Sequence, residues 1–149
     1  MDALDIRSLS VGNAAISLKG KLIELNTTML GQYQLWLTNE QKWQCPFQGI
    51  IITNLTLPRL GFVLEAELKT VIPEDLDYGG FENVHMHELG FAIGFKDNDW
   101  RLLTILFEPG NTILISQGSK PLMYIHEIQN NLFWVHGEHL DYQIDQNEK

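Results

Sequence analysis

The chain has 149 residues, of which 44% are hydrophobic and 19% are charged. A chain of this size holds one domain with its own apolar core, and its low charge content argues against a disordered or coiled-coil protein. The formal net charge of −9 argues against a nucleic-acid partner, because phosphate contacts need clustered Lys and Arg. We therefore expect a single acidic domain over residues 1–149.

Turn-forming residues recur at short intervals, with runs of β-branched, aromatic and aliphatic residues between them. This spacing predicts an all-β, mainly antiparallel fold, either a β-barrel or a sandwich, with at most one or two short helices. In chain order, strands are predicted at 14–25, 32–37, 49–57, 62–69, 84–95, 112–116, 121–128, 132–136 and 140–145.

Two of these runs, 62–69 and 140–145, alternate between apolar and polar residues as half-buried strands do. In the first run, Phe62 and Leu64 share the predicted inner face. In the second run, Tyr142 lies on it.

Residues 100–107 form an ambiguous run. Asp97 or Asp99 would cap a short helix there, with the apolar residues on one broad face. The same residues suit a strand that is buried on both faces. The sequence leaves both alternatives open.

Cys45 is the only cysteine, so the chain forms no internal disulfide, which fits a reducing compartment. The first residues are acidic and no apolar run follows them, whereas a secretory signal has a basic start and an apolar stretch. No segment approaches the roughly 20 apolar residues of a membrane span. These features predict a cytoplasmic protein without a membrane partner.

Acidic residues are concentrated in two stretches, residues 65–88 and residues 138–149. An acidic surface steers a basic protein partner and speeds their encounter, although similar charge also occurs on ordinary solvated surfaces. The predicted partner-binding residues are Glu65, Glu67, Glu74, Asp75, Asp77 and Glu82. The four tryptophans are core or rim residues by default, and an exposed one would anchor such a partner.

The sharpest chemical feature is the sequence His85-Met86-His87-Glu88. On a strand, His85 and His87 project to the same face, as a pair of metal ligands requires. Counted at strand spacing, His126 also points inward, so three histidines inside one barrel could hold a metal. The apolar residues in phase with these histidines are Leu89, Phe91 and Ile93 in the first strand and Leu122, Tyr124 and Ile128 in the second. Strand-end histidines also serve as hydrogen-bonded structural residues.

This histidine pattern resembles that of the cupins, in which His-x-His precedes a Glu and a later strand supplies a third His. The resemblance implies a metal-dependent enzyme with His85, His87 and His126 as ligands. The chain departs from the family pattern because Glu88 follows His87 directly and so projects to the other face. The glycine expected shortly before the third histidine is also missing.

A second resemblance covers more of the chain. Residues 7–16 (RSLSVGNAAI) resemble the signature of the PilZ domain, Asp/Asn-x-Ser-x-x-Gly entering a β-strand. Three later segments are similar to other parts of that barrel: 60–66 (LGFVLEA), 89–95 (LGFAIGF) and 100–107. The likeness covers residues 5–107 and leaves the predicted C-terminal strands of residues 108–149 outside it.

The PilZ resemblance implies a small β-barrel that binds cyclic di-GMP and passes the signal to a protein partner. The implied ligand-binding positions are Arg7, Ser8, Ser10 and Asn13. Ser8 stands where Asp or Asn is expected, Asn13 replaces the glycine, and the paired arginines that grip guanine and phosphate are absent. The resemblance therefore implies a barrel that has lost its nucleotide, and we expect no cofactor.

Recognisable catalytic motifs are absent: the chain has no Gly-x-Ser-x-Gly elbow, no His-Glu-x-x-His and no phosphate-binding glycine loop. We therefore predict a non-enzymatic, regulatory protein-binding module that acts through its acidic patch, in one version a PilZ-like barrel without its ligand. Two alternatives stay open. One is an immunity-type inhibitor that covers the basic active site of a toxin or nuclease, and the other is a metal-dependent, cupin-like enzyme.

Overall fold

The structure is a computed structural model, and it describes residues 4, 8–17, 19–32, 47–64, 83–95, 99–108, 111–116 and 121–145. The strands are β1 (Ala14–Ile16), β2 (Leu22–Glu24), β3 (Val63–Leu64), β4 (Asn83–His87), β5 (Gly90–Gly94), β6 (Trp100–Glu108) and β7 (Asn111–Ser116). A 3-10 turn covers Leu57–Leu60, residues 27–32 are helical, and a C-terminal helix spans Ile125–His136. Among these residues, no helix has the length and apolar character that crossing a bilayer requires. The predicted all-β, mainly antiparallel class is confirmed.

Strands β3 to β7 form one sheet in which chain order is also spatial order and every pair is antiparallel. The longest strand, β6, pairs with β5 on one side and β7 on the other, so the ambiguous run 100–107 is a strand. Leu102 and Leu103 are both buried and belong to apolar clusters on opposite faces, as a strand covered on both sides requires. Within the described residues the sheet is open, with β3 and β7 at its edges, and it does not close into a barrel.

The run 84–95, predicted as one strand, is a hairpin of β4 and β5 with a two-residue turn. The turn residues are Glu88 and Leu89, not the Gly, Pro or Asn that are typical of turns. The sequence alone therefore predicts one continuous strand. The reversal shifts the alternation by one residue. His85 therefore shares its face with Ala92, with which it pairs, whereas Phe91 and Ile93 lie on the opposite face.

Of the residues predicted as the strands 121–128 and 132–136, those from Ile125 onward form the C-terminal helix instead. Residues 121–124 are extended, and Leu122 and Tyr124 form isolated antiparallel bridges with Trp100 and Ile51. Ile125, Ile128 and Leu132 recur at helical spacing and are buried together in the core. The strand prediction was wrong from Ile125 onward because it counted Leu122, Tyr124, His126 and Ile128 at alternating spacing and treated Asn130 and Asn131 as a turn.

Hydrogen bonds to Glu127 define where this helix begins, and Gly137 defines where it ends. The carboxylate of Glu127 accepts hydrogen bonds from the N–H groups of Met123 (3.0 Å) and Tyr124 (2.9 Å), which satisfies two donors at the start of the helix. Gly137 ends it with a φ of +69° and donates its N–H to the carbonyl of Phe133 at 2.7 Å.

Other predicted strands differ from the structure in local ways. The run 14–25 is the hairpin of β1 and β2, and 49–57 is irregular and leads into the 3-10 turn. Residues 140–145 keep the predicted alternation of buried and exposed side chains but belong to no strand. The run 32–37 lies outside the described residues except for Gln32, which is helical.

Only residues 62–64 of the predicted run 62–69 fall in the described part of the chain. Phe62 is buried, but Leu64 is exposed, so the predicted shared face does not form there. Strand β3 is only two residues long, so no alternation of buried and exposed side chains develops along it. The predicted strand 112–116 is confirmed as part of β7.

The hairpin of β1 and β2 begins at a bulge. The Asn13 N–H donates to the carbonyl of Ser10 (3.1 Å), which closes a tight turn with Gly12 in its third position. The N–H of Gly12 donates to the carbonyl of Leu25 (2.7 Å), and the N–H of Leu25 donates to the carbonyl of Asn13 (2.9 Å). Gly12 and Asn13 on one strand therefore lie opposite the single residue Leu25 on the other. This is a G1 bulge, whose first residue is a glycine with positive φ, here +89°. The bulge leaves the carbonyl of Gly12 free to accept bonds from elsewhere in the fold.

The main core lies between the C-terminal helix and the large sheet, and it draws on both sheets. Its buried members include Ala14, Ile50, Ile52, Leu57, Leu60, Phe62, Ala92, Trp100, Leu102, Ile125, Ile128, Leu132 and Tyr142. A smaller cluster on the other face of β1 contains Leu4, Leu9, Ala15, Leu25, Leu30 and Phe47. Residues from both ends of the chain therefore share one apolar interior.

A buried amide on the C-terminal helix joins this helix to the N-terminal bulge. Gln129 is 0% exposed. Its Oε1 accepts from the N–H of Ala14 (3.0 Å), and its Nε2 donates to the carbonyls of Leu140 (2.8 Å) and Gly12 (3.4 Å). One side chain thus satisfies main-chain groups of β1, the bulge and the chain that follows the helix.

We expect Gln129→Ala to lower the free energy of unfolding by about 3 kcal/mol or more, because a buried polar group left without a partner costs roughly 1–3 kcal/mol. Asn131→Ala, on the same helix, is the matched control and is expected to change stability by less than about 0.5 kcal/mol. Urea unfolding at pH 7.5 measures both values. Equal losses of unfolding free energy in the two variants would show that the hydrogen bonds of Gln129 contribute no more to stability than the side chain of Asn131 does.

Candidate functional site

His85 lies inside the large sheet at 1% exposure, and neither of its ring nitrogens has a hydrogen-bond partner among the described residues. The ring packs edge-on against Trp100, with 5.9 Å between centroids. Burial lowers the pKa of His85, so the imidazole is neutral near pH 7. Asn83 Oδ1 and Trp100 Nε1 are buried on the same face and are also unpartnered. This face of the sheet therefore holds several buried polar atoms that have no hydrogen-bond partner among the described residues.

His87 is half-buried at the end of β4. Its Nδ1 accepts the N–H of Leu89 at 3.1 Å, which assigns the neutral-ring proton to Nε2. The ring lies 5.2 Å from that of Phe62. Burial lowers the pKa of His87, while the nearby carboxylates of Glu88 and Glu138 raise it in part. His87 therefore has the contacts of a structural residue.

His126 is buried on the C-terminal helix, where its ring stacks on that of Tyr124 at 5.6 Å. Burial lowers the pKa of His126, and Glu127 opposes this in part. The three histidines predicted as metal ligands are not brought together. Within the described part of the chain, the one group of three side chains with ligand atoms close enough to share an ion is a different one.

That group consists of Glu24, His139 and Asp141, whose candidate ligand atoms lie within 4.8 Å of one another. All three residues are exposed. The Nε2 of His139 lies 3.0 Å from the carbonyl of Gly12 and 3.9 Å from Asp141 Oδ1. Two oxygens and a nitrogen are a donor set that a divalent cation can use, and two carboxylates so close together equally attract an organic cation.

The residues implied by the PilZ resemblance are divided between surface and interior. Ser8 and Ser10 are exposed, and Arg7 lies outside the described residues. Asn13 is 1% exposed; its Oδ1 accepts from the N–H of Ser10 (2.7 Å), and its Nδ2 donates to Asn130 Oδ1 (2.8 Å). The Asn13 amide thus holds the loop against the C-terminal helix rather than facing solvent.

The predicted acidic partner-binding residues Glu65, Glu67, Glu74, Asp75, Asp77 and Glu82 all lie outside the described residues. Among the tryptophans, Trp100 belongs to the core, whereas Trp134 is 86% exposed on the C-terminal helix beside the exposed Phe133. Trp36 and Trp43 also lie outside the described part of the chain.

An open groove runs beside β2. Its volume is about 500 Å³, within the roughly 300–1,000 Å³ that is usual for ligand sites. The lining residues are Leu22, Ile23, Glu24, Met29, Asp141, Tyr142 and Ile144. Five of these seven residues are aliphatic or aromatic, and the two charged ones, Glu24 and Asp141, are both negative.

One wall of this groove is the C-terminal segment, residues 138–145, which follows the helix. Three contacts hold it in place: Gln129 binds the carbonyl of Leu140, the N–H of Gln143 donates to the carbonyl of Arg59 at 2.8 Å, and the Arg59 guanidinium lies 5.4 Å from the ring centre of Tyr142. These contacts fix the distance between this wall and the small sheet.

Comparison with known proteins adds no family to this picture. No family model, curated protein or solved structure matches the chain. The PilZ and cupin resemblances therefore stay predictions from the sequence, and the groove has to be interpreted from its own chemistry.

Sequence reasoning missed this groove. Tyr142 and Ile144 were recognised as one inner face, but Glu24 and Asp141 lie more than a hundred positions apart and belong to no local motif. The signal that could have drawn attention to them is the apolar pair Leu22-Ile23 ending in an acid, opposite a C-terminal run that alternates acid and apolar residues. Nothing in the order of residues says that these two runs meet.

We expect the free energy of unfolding to fall as the pH is lowered through about 6.5. Burial lowers the pKa of His85 and of His126 in the folded protein, whereas both titrate near 6.5 when unfolded, so the unfolded state takes up more protons below that pH. Their contribution is complete above pH 6.5 and is lost below it, by up to about 1.4 kcal/mol per pH unit for each ring.

Urea unfolding of the wild type and of His85→Leu/His126→Leu between pH 7.5 and 5.5 measures this effect. The double variant is expected to lose the part of the slope that His85 and His126 contribute and to keep the part that comes from His87, whose pKa is also lowered by burial. An unchanged slope would mean that other groups carry the pH dependence.

Proposed function

We propose that this protein is a non-enzymatic binding module that holds a basic segment of a partner protein in the groove beside β2. The observation that carries this proposal is the pairing of an apolar groove with two carboxylates, Glu24 and Asp141, at its mouth. Apolar surface supplies affinity, and the carboxylates select a cation and guide its approach.

The charge of the whole chain supports the same kind of partner. The formal net charge is −9, so a basic protein is attracted from a distance before any contact forms. Asp141 has a side chain that is 85% exposed, which leaves it free to meet a Lys or Arg from outside. The single cysteine fits a reducing compartment, and we place this interaction in the cytoplasm.

Charge reversal in the groove tests the proposal. The tagged wild-type protein is used to capture its partner from a native lysate, and the partner is identified and produced in pure form. Glu24→Lys and Asp141→Lys are each expected to weaken the measured Kd at least tenfold, because each replaces an attraction by a repulsion. The effect should shrink as salt is added.

The matched control is Glu88→Lys, which makes the same change in charge at an exposed residue of the β4–β5 turn, outside the groove. It should leave the Kd within about threefold of wild type. If the groove variants and the control behave alike, the groove is not the binding site.

The acidic run between β3 and β4 is expected to act on the rate of association. Reversing Glu74, Asp75 and Asp77 together to Lys should slow association with the same partner and flatten its salt dependence, with little change in dissociation. Stopped-flow mixing at two salt concentrations measures this. An association rate that is unchanged at both concentrations would remove these residues from the interaction.

A further inference from the structure

We infer that the partner segment binds as an added β-strand along the outer edge of β2, with a Lys or Arg side chain set between Glu24 and Asp141. This inference rests on the proposed function and specifies how the groove would be used. It depends on the hydrogen-bond pattern of β2, on the position of the groove relative to that strand, and on the placement of the two carboxylates.

The hydrogen bonds of the hairpin show which main-chain groups of β2 remain unpaired. The N–H of Leu25 donates to β1, and the carbonyl of Lys21 accepts from Ser17 at 2.8 Å, so the odd-numbered residues point towards β1. The N–H and C=O groups of Leu22 and Glu24 therefore point the other way. None of the described residues bonds to them, so within that part of the chain this edge of β2 is open.

The groove lies over this open edge. Its lining includes Leu22 and Tyr142, which pack on the main-core face of the small sheet, and Ile23 and Met29, which pack on the opposite face. A cavity lined from both faces of a sheet has the strand edge along its floor. An extended peptide fits such a groove because its main chain pairs with the edge while its side chains alternate between the two walls.

The carboxylates give the added strand a sequence preference. Glu24 and Leu22 are two residues apart, so their side chains lie on the same face, with Asp141 and Ile144 in the wall beside them. Glu24 and Asp141 offer oxygens within 4.8 Å of each other, close enough for one guanidinium or ammonium to contact both. The preferred segment carries a basic residue there and apolar residues two positions away.

Charge complementarity also favours a basic segment over a second copy of this chain. Pairing two β2 edges would bring together the groove carboxylates of both copies without any cation between them. Like charges held close together oppose such a contact. A partner strand with a Lys or Arg at that position instead places an opposite charge beside Glu24 and Asp141.

The first part of the test uses random nonapeptides displayed on phage. They are selected against the full-length wild type and against the Glu24→Lys/Asp141→Lys variant, with EDTA present so that no divalent ion occupies the carboxylates. The wild type is expected to enrich peptides with one Lys or Arg flanked two residues away by apolar residues. The variant is expected to enrich Asp or Glu at the same position.

The second part tests the main-chain pairing. The best wild-type peptide is synthesised with each backbone N–H methylated in turn, and its Kd is measured for every version. Strand addition predicts at least a tenfold loss at alternate positions and little change between them, because only every second N–H faces the edge. Amide exchange of Leu22 and Glu24 should also slow when the unmodified peptide binds.

The outcomes separate the mode of binding from the function. Uniform tolerance of methylation, or failure to enrich any peptide while the natural partner still binds through Glu24 and Asp141, overturns strand addition and leaves the binding module in place. If only Glu88→Lys loses partner binding, both the strand-addition inference and the proposed binding function are overturned. A dimer in sedimentation that Glu24→Lys/Asp141→Lys alters, with no peptide enriched, assigns the edge to a second copy and overturns the inference.

Discussion

The side-chain amide of Gln129 is the contact on which the placement of the other elements depends. It lies on a helix near the end of the sequence but satisfies main-chain groups in the N-terminal bulge and in the C-terminal segment. The bulge begins the hairpin whose second strand, β2, lies on one side of the groove, and the C-terminal segment forms the wall beside it. An amide suits this task because it offers an acceptor and two donors from one planar group, whereas a carboxylate offers acceptors alone. The geometry of the groove is therefore set from inside the core.

The two most buried histidines, His85 and His126, contrast with the exposed carboxylates that line the groove. His85 and His126 attract attention in the sequence because imidazole so often binds metals or protons. In the fold they lie within the apolar interior, and neither ring nitrogen of His85 has a hydrogen-bond partner among the described residues. Glutamate and aspartate are more common residue types, yet the chain folds so that the exposed carboxylates of Glu24 and Asp141 meet beside β2.

The sequence predicted the fold class well because alternation and turn residues are local properties. It identified β6 as one of two alternatives and the inner face of Tyr142 correctly. It failed at 125–136, where Ile125, Ile128 and Leu132 follow helical spacing and are buried together in the core, while the alternation of Leu122, Tyr124, His126 and Ile128 had favoured a strand. It failed for the groove because Glu24 and Asp141 are brought together only by long-range packing, which no local pattern records.

The sequence separation within the Gln129 contacts has a consequence for how the molecule is made. Residues 14 and 129 are 115 positions apart, so the bulge cannot gain its partner until the helix has left the ribosome. Until then the hairpin of β1 and β2 exists without one wall of its groove. A growing chain therefore carries β2 long before Asp141, Tyr142 and Ile144, which complete the lining of the groove. The order of synthesis thus delays assembly of the groove until these residues have been made.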